Sequence, residues 1–141
     1  MKLIRIAAVC TMASLSVGCA SGLNSIQKQE YAAMEASGVL YKEKNPGTGA
    51  ALGILPGGGS FYAGEIGLGV VNLLLWPVSI LWDPISGYEG SKADNYYITT
   101  QKLKKDKAVE ITRIDDQLAI KAISTEEYIR QKNQINEKYN F

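Results

Sequence analysis

Histidine is missing from this 141-residue chain, and the only cysteines are Cys10 and Cys19. Zinc sites need three or four Cys, His or carboxylate ligands held together, and Cys/His nucleophiles need both partners, so these chemistries are excluded at the outset. An excess of one charge is lacking too, with 15 Lys and Arg against 14 Asp and Glu. A nucleic-acid surface calls for a basic excess, and no nucleic-acid partner is expected. In the middle of the chain charge of either sign is scarce. There is none from Asn45 to Gly64 and, after Glu65, none from Ile66 to Trp82. No lysine occurs between Lys44 and Lys92. The glycine-rich "PGGGS", Pro56 to Ser60, therefore lacks the cation of a phosphate-binding loop and reads as a tight turn.

Paired carboxylates are present, as Asp115–Asp116 and Glu126–Glu127. Both pairs lie on charged helix faces, whereas general acid–base work needs a pocket that shifts a pKa. No serine sits in a nucleophile elbow. The expectation is a protein without catalytic residues, cofactor or metal. "KLKKDK", Lys102 to Lys107, reads as a solvated helix face.

What is there begins with the N-terminus. Lys2 and Arg5 precede an uncharged run, "IAAVCTMASLSVG", and then Cys19. A short basic segment, an apolar run and small residues make the pattern of a secretory signal, too short to span a bilayer. Residues 1–18 are expected to be that signal, with Cys10 discarded. "LSVGC", Leu15 to Cys19, resembles the lipobox of bacterial lipoproteins, with Val17 and Gly18 in place and Ser16 where a leucine is usual. The resemblance implies a diacylglycerol and an acyl chain on Cys19, hence membrane lipid as a partner. The other reading is an ordinary signal cut near Gly18. By the rule for such proteins, Ala20 and Ser21 lack the acidic residue that retains them at the inner membrane. A membrane-inserted helix argues the other way, and a lipid-anchored cell-membrane protein at the inner membrane is expected.

The rest divides by composition. Residues 19–48 read as the lipidated cysteine and a polar tether, "LNSIQKQEYAAMEAS", ended by Gly38, with turn chemistry in "KNPGTG". Residues 49–90 read as an apolar hairpin. Its second arm, extended back to Tyr62, is long enough as a helix to cross about 30 Å of hydrocarbon. Phe61 and Tyr62 at one end and Trp82 at the other stand where interfacial aromatics belong. Pro77 should kink this arm, and Asn72 puts an amide near its centre. The first arm is short, and it either crosses or only dips. A buried core helix is the competing reading of the same run.

Residues 91–141 are strongly charged. Leu103, Ile111, Ile114 and Leu118 share one helical face. A second helix from about Thr125 to Tyr139 follows "STEE", in which Ser124 and Glu127 have capping-box spacing. The fold class expected is mainly α: a signal and lipid-anchor segment, a central apolar helical hairpin with a Gly-rich turn, and a charged C-terminal αα-hairpin.

Two further resemblances concern these parts. "GGGSFYAGEIGLGVVNLL", Gly57 to Leu74, resembles a family of small domains with two transmembrane helices joined by a short turn. It implies turn and packing roles for Gly57, Phe61, Tyr62, Gly64, Gly67 and Gly69, although the family's His-Arg pair is replaced by Gly59 and Ser60. "LAIKAISTEEYIRQKNQI", Leu118 to Ile135, is similar to the short C-terminal helical-hairpin domain known as SHOCT, with Lys121 where a glycine is usual. That implies an interaction role for Leu118, Ile123, Tyr128 and Ile135, with a second copy or another envelope protein as partner. The expectation is a lipid-anchored bacterial cell-envelope protein of structural or interaction role, with a membrane-associated hairpin and a partner-binding or self-associating tail. The alternative is a subunit of an oligomeric pore or transporter, assembled around Asn72.

Overall fold

The computed structural model describes residues 22–141, which form six α-helices and one 3-10 turn, with no strand among the described residues. The expected signal over residues 1–18 and the lipid site at Cys19 lie outside the described residues. The mainly α class holds. Helix α1, Ser25–Ala36, starts at a full capping box: Asn24 accepts from the Ile26 and Gln27 amides while Gln27 reaches back to the Asn24 amide. It ends at Gly38, whose positive φ of 73° suits a residue without Cβ. Its buried face, Tyr31 and Met34, packs with Leu23 and Tyr96.

The strap after α1 is tied to the long helix rather than loose. The Tyr41 amide donates to Thr99 Oγ1 at 2.9 Å. The Lys44 amide donates to Asn95 Oδ1 at 2.9 Å, and Asn95 Nδ2 returns a bond to the Lys44 carbonyl at 2.7 Å. Asn95 thus satisfies both backbone polar groups of Lys44. Lys44 also pairs with Asp94.

Then come three short helices: α2, Pro46–Leu52; α3, Gly58–Tyr62; and α4, Ile66–Leu74. The 3-10 turn Val78–Leu81 leads into α5, Asp83–Ala119, and α6 runs over Thr125–Lys138. At 37 residues α5 is roughly 55 Å long and touches every other helix group. The composition boundary at 90/91 falls inside it.

The transmembrane hairpin expected over residues 49–90 is corrected here. No helix among the described residues is long and apolar enough to cross a membrane. The physical reason is punctuation. Gly57 and Gly64 adopt positive φ, 70° and 84°, and Pro77 intervenes after α4, so the apolar run breaks into separate pieces. The longest of them, α4, has 9 residues and is roughly 13 Å long, under half the hydrocarbon thickness.

Glycine lets these pieces approach α5 backbone to backbone. A Cβ on Gly49 would collide with the Gly87 carbonyl, and one on Gly87 with the Gly49 carbonyl. Ser91 Oγ donates to that Gly87 carbonyl at 2.6 Å, which gives it a partner in the crossing. At the far end α6 folds back along α5. Ile114, fully buried, and Ile135 are the two buried apolar residues of this end. The reversal turns on Lys121, at φ 57°. Only half of the expected capping box forms: the Glu127 amide donates to Ser124 Oγ at 3.1 Å, while the Glu127 carboxylate pairs with Arg130 and Gln131.

Two glycine substitutions should therefore move stability in opposite directions. Gly87→Ala is expected to lower it by about 1–3 kcal/mol through overpacking. Gly67→Ala in α4, where an added Cβ meets nothing within 4 Å, should raise it by about 0.5 kcal/mol through reduced unfolded-state entropy. Urea unfolding of both variants beside the parent checks the pair.

Candidate functional site

The apolar segment is arranged with its polar side chains inside and its apolar side chains outside. At the centre is Asp83, fully buried at the start of α5. Its carboxylate accepts from the Gly59 amide at 3.1 Å, from the Ser60 amide at 3.0 Å and from Ser60 Oγ. Asn72 Nδ2 adds a fourth donor at 2.7 Å. Two helix N-termini, those of α3 and α5, therefore converge on one negative charge, the arrangement their dipoles favour.

Asn72 carries the network outward. Its Nδ2 also reaches Ser60 Oγ at 2.9 Å, and its Oδ1 accepts from Trp82 Nε1 at 2.8 Å. Its backbone carbonyl accepts from Ser79 Oγ at 2.8 Å. Ser60, Asn72, Ser79 and Asp83 are each at most 1% exposed. A buried polar group without a partner costs about 1–3 kcal/mol, so this saturation is what lets the cluster exist.

Around this centre the outer surface is almost wholly aliphatic. Ile66, Leu74 and Leu81 are 70%, 77% and 74% exposed. Ile54, Leu55, Val78, Trp76 and Ile85 are exposed as well. Of the residues from Ile66 to Leu81, the two with hydrogen-bonding side chains besides Trp76 are Asn72 and Ser79, and both point inward. This apolar cap occupies one end of the molecule.

The residues expected to form a turn and packing face are partly brought together. A Cβ on Gly69 would strike the Phe61 ring, and one on Gly57 would strike the Gly69 carbonyl, so Gly57, Phe61 and Gly69 meet. Tyr62 stands beside them, its hydroxyl accepting from the Asn45 amide at 3.0 Å. Gly64 serves as a positive-φ turn, and Gly67 faces open space. In the tail, Ile135 is buried, while Leu118, Ile123 and Tyr128 are half-buried. Tyr128 Oη donates to Asp115 at 2.8 Å.

Polar groups ring the cap. Glu65, the single charge within the apolar run, is half-buried, and its carboxyl is pushed up by burial, with Asp94 adding and Lys44 opposing. Nearby, Tyr31, Tyr62, Tyr88, Lys42, Lys44 and Lys92 help line a cleft of about 450 Å³. Lys92 Nζ lies 5.1 Å and 5.3 Å from the Tyr31 and Tyr88 ring centroids, within cation–π range. Lys42 pairs with Glu35 at 2.8 Å.

Sequence reasoning missed Asp83, Ser60 and Ser79 as core. A signal existed. Polar residues isolated in an apolar run must find partners or face water, and Asp83-Pro84 is a helix start that puts a carboxylate at the first turn.

No family model, curated protein or solved structure matches this chain. These comparisons confirm none of the resemblances to bacterial lipoproteins, to the two-transmembrane-helix family and to SHOCT, and the second is overturned. Each rested on a short motif that no match along the chain supports, and the spanning helices of the second do not form.

Replacing Asp83 with Asn would aim an amide donor at converging donors, and a loss of about 2–4 kcal/mol is expected. Asn72→Leu, which strands Trp82 Nε1, should cost about 1–3 kcal/mol. Both are read from chemical unfolding. A pH effect belongs to the tail. Lys138 first, then Tyr139, hold the Glu110 carboxyl below the ordinary range. A depressed carboxylate contributes stability above its unfolded pKa and loses it as pH falls through the folded value. Corrected hydrogen exchange in α6 should be steady from about pH 7 to 5 and rise below about pH 4. Glu110→Gln should show the faster exchange throughout.

Proposed function

We propose that this chain is a non-enzymatic interaction protein of the cell envelope, held at a membrane surface by lipid on Cys19 and presenting a charged helical tail to a partner. One observation carries the reading: a single continuous helix, α5, has an aliphatic cap at one end and a charged, folded-back tail at the other. Such a body separates an attachment surface from a binding surface by roughly 40–55 Å. The tail offers side chains for contact, with Val109, Ile120 and Ile129 exposed at 62%, 76% and 53% among Lys, Glu and Asp. An apolar anchor ringed by charge is the usual composition of a protein contact. A second copy or another envelope protein is the partner proposed, and the inner membrane the location.

The pore or transporter reading rests on Asn72 facing a shared axis. Asn72 is instead saturated inside one protomer, bonded to Ser60, Asp83 and Trp82. That favours the interaction reading.

Fatty-acid labelling in cells, followed by density separation of membranes, tests attachment. Label is expected on the parent and absent from Cys19→Ala, and a labelled Cys19→Ala chain would overturn the lipid assignment. In parallel, Ile120→Glu with Ile129→Glu should abolish crosslinking of the tail to its partner without changing helix content.

A further inference from the structure

We infer that the apolar cap is a bilayer-contact surface that embeds in the acyl region of one leaflet without crossing it. Three observations converge on lipid rather than protein as its occupant.

The first is the inverted arrangement. From Ile66 to Leu81 every side chain that could give a directional bond, Trp76 apart, is turned inward, and the aliphatic ones are turned outward. A protein partner of ordinary size forms about ten hydrogen bonds across the contact, and a face of Ile, Leu and Val offers almost nothing to make them with. Hydrocarbon asks for no such bonds and demands that polar groups be satisfied internally. The Asp83 and Asn72 network meets that demand.

The second is depth. The pieces of the cap are α2, α3, α4 and a 3-10 turn, and α4 is roughly 13 Å long. That is too short to cross, whereas an interfacial element needs to sink only about 5–10 Å. Beside the cap stand Glu65, Lys44 and Asp94, and Lys44, Tyr62 and Tyr88 line the cleft. Tyrosine and charge are suited to the headgroup layer.

The third is where the chain enters. Gly22 lies against the second turn of α5, where an added Cβ would come within 2.9 Å of Glu89 Cβ, one turn from exposed Ile85. Only Ala20 and Ser21 lie between Gly22 and Cys19, and the three Cα steps reach about 11 Å at most. Acyl chains on Cys19 would thus enter the bilayer on the side of the cap. This third point rests on the proposed lipid; the first two do not. Two membrane contacts together give stable attachment where one acyl group is marginal.

The test uses the full chain reconstituted into phosphatidylethanolamine–phosphatidylglycerol vesicles, with bromine placed at shallow or deep acyl positions. Trp76 emission is taken as the difference between the parent and Trp76→Phe. The expected result is a blue shift and at least twofold stronger quenching by shallow than by deep bromine. Leu74→Glu with Leu81→Glu, both at exposed positions, should abolish shift and quenching while helix content and melting stay unchanged. Stronger quenching by deep bromine would overturn the one-leaflet placement. Trp76 unquenched at either depth would overturn the proposal. In that case, a concentration-dependent oligomer dispersed by the Leu74 and Leu81 changes would identify a second copy as the occupant. Fatty-acid labelling does not enter this readout, so a chain without lipid on Cys19 could still pass it, and a lipidated chain could still fail it.

Discussion

A carboxylate sealed from water is tolerable only when donors surround it, and Asp83 obliges four of them to stay in place. Two come from the opening amides of α3, one from Ser60 and one from α4 through Asn72. The α3 start, the α4 face and the first turn of α5 are therefore held relative to one another by one charge. Trp82 and Ser79 extend the restraint to the 3-10 turn by binding Asn72. Buried charge is a poor source of net stability, because desolvation offsets most of the attraction. What it supplies is a unique arrangement: short helices with no apolar core of their own can occupy only the positions that complete the shell.

Close backbone packing does the rest. The Gly49–Gly87 crossing admits no side chain, so dispersion between α2 and α5 is gained without any large apolar residue in between. This explains how so apolar a segment can leave Ile, Leu and Val outside. Toward the middle of α5 the conventional pattern returns, with Leu23, Tyr31, Met34 and Tyr96 as an ordinary apolar cluster and the strap fixed by Asn95 and Thr99.

Much of the helical tail was legible in the sequence. The stripe of Leu103, Ile111, Ile114 and Leu118 and the helix start at Ser124 follow from 3.6-residue periodicity and capping, which are local rules. The helix at Ser25–Ala36 was only half legible, since Tyr31 and Met34 make too weak a stripe to stand out from a tether. The apolar segment was misread for a physical reason. Hydropathy averages over a window, and it registers Asn72, Ser79 and Asp83 as minor interruptions of a spanning run. Their spacing instead brings them, with Ser60, to one point once Gly57, Gly64 and Pro77 break the chain. That convergence depends on contacts between residues 11 to 24 positions apart, and no local pattern displays it.

Helix α5 has one further property. After Gly90 it contains neither glycine nor proline up to Ala119, and nothing in that stretch of sequence supplies a hinge. A rod of that kind converts rotation into travel. If the cap end pivots by about 10°, a point roughly 55 Å away sweeps through about 10 Å, close to the width of a helix. The turn at Lys121 is therefore a pointer, whose height and bearing report the tilt of the buried carboxylate at the opposite end.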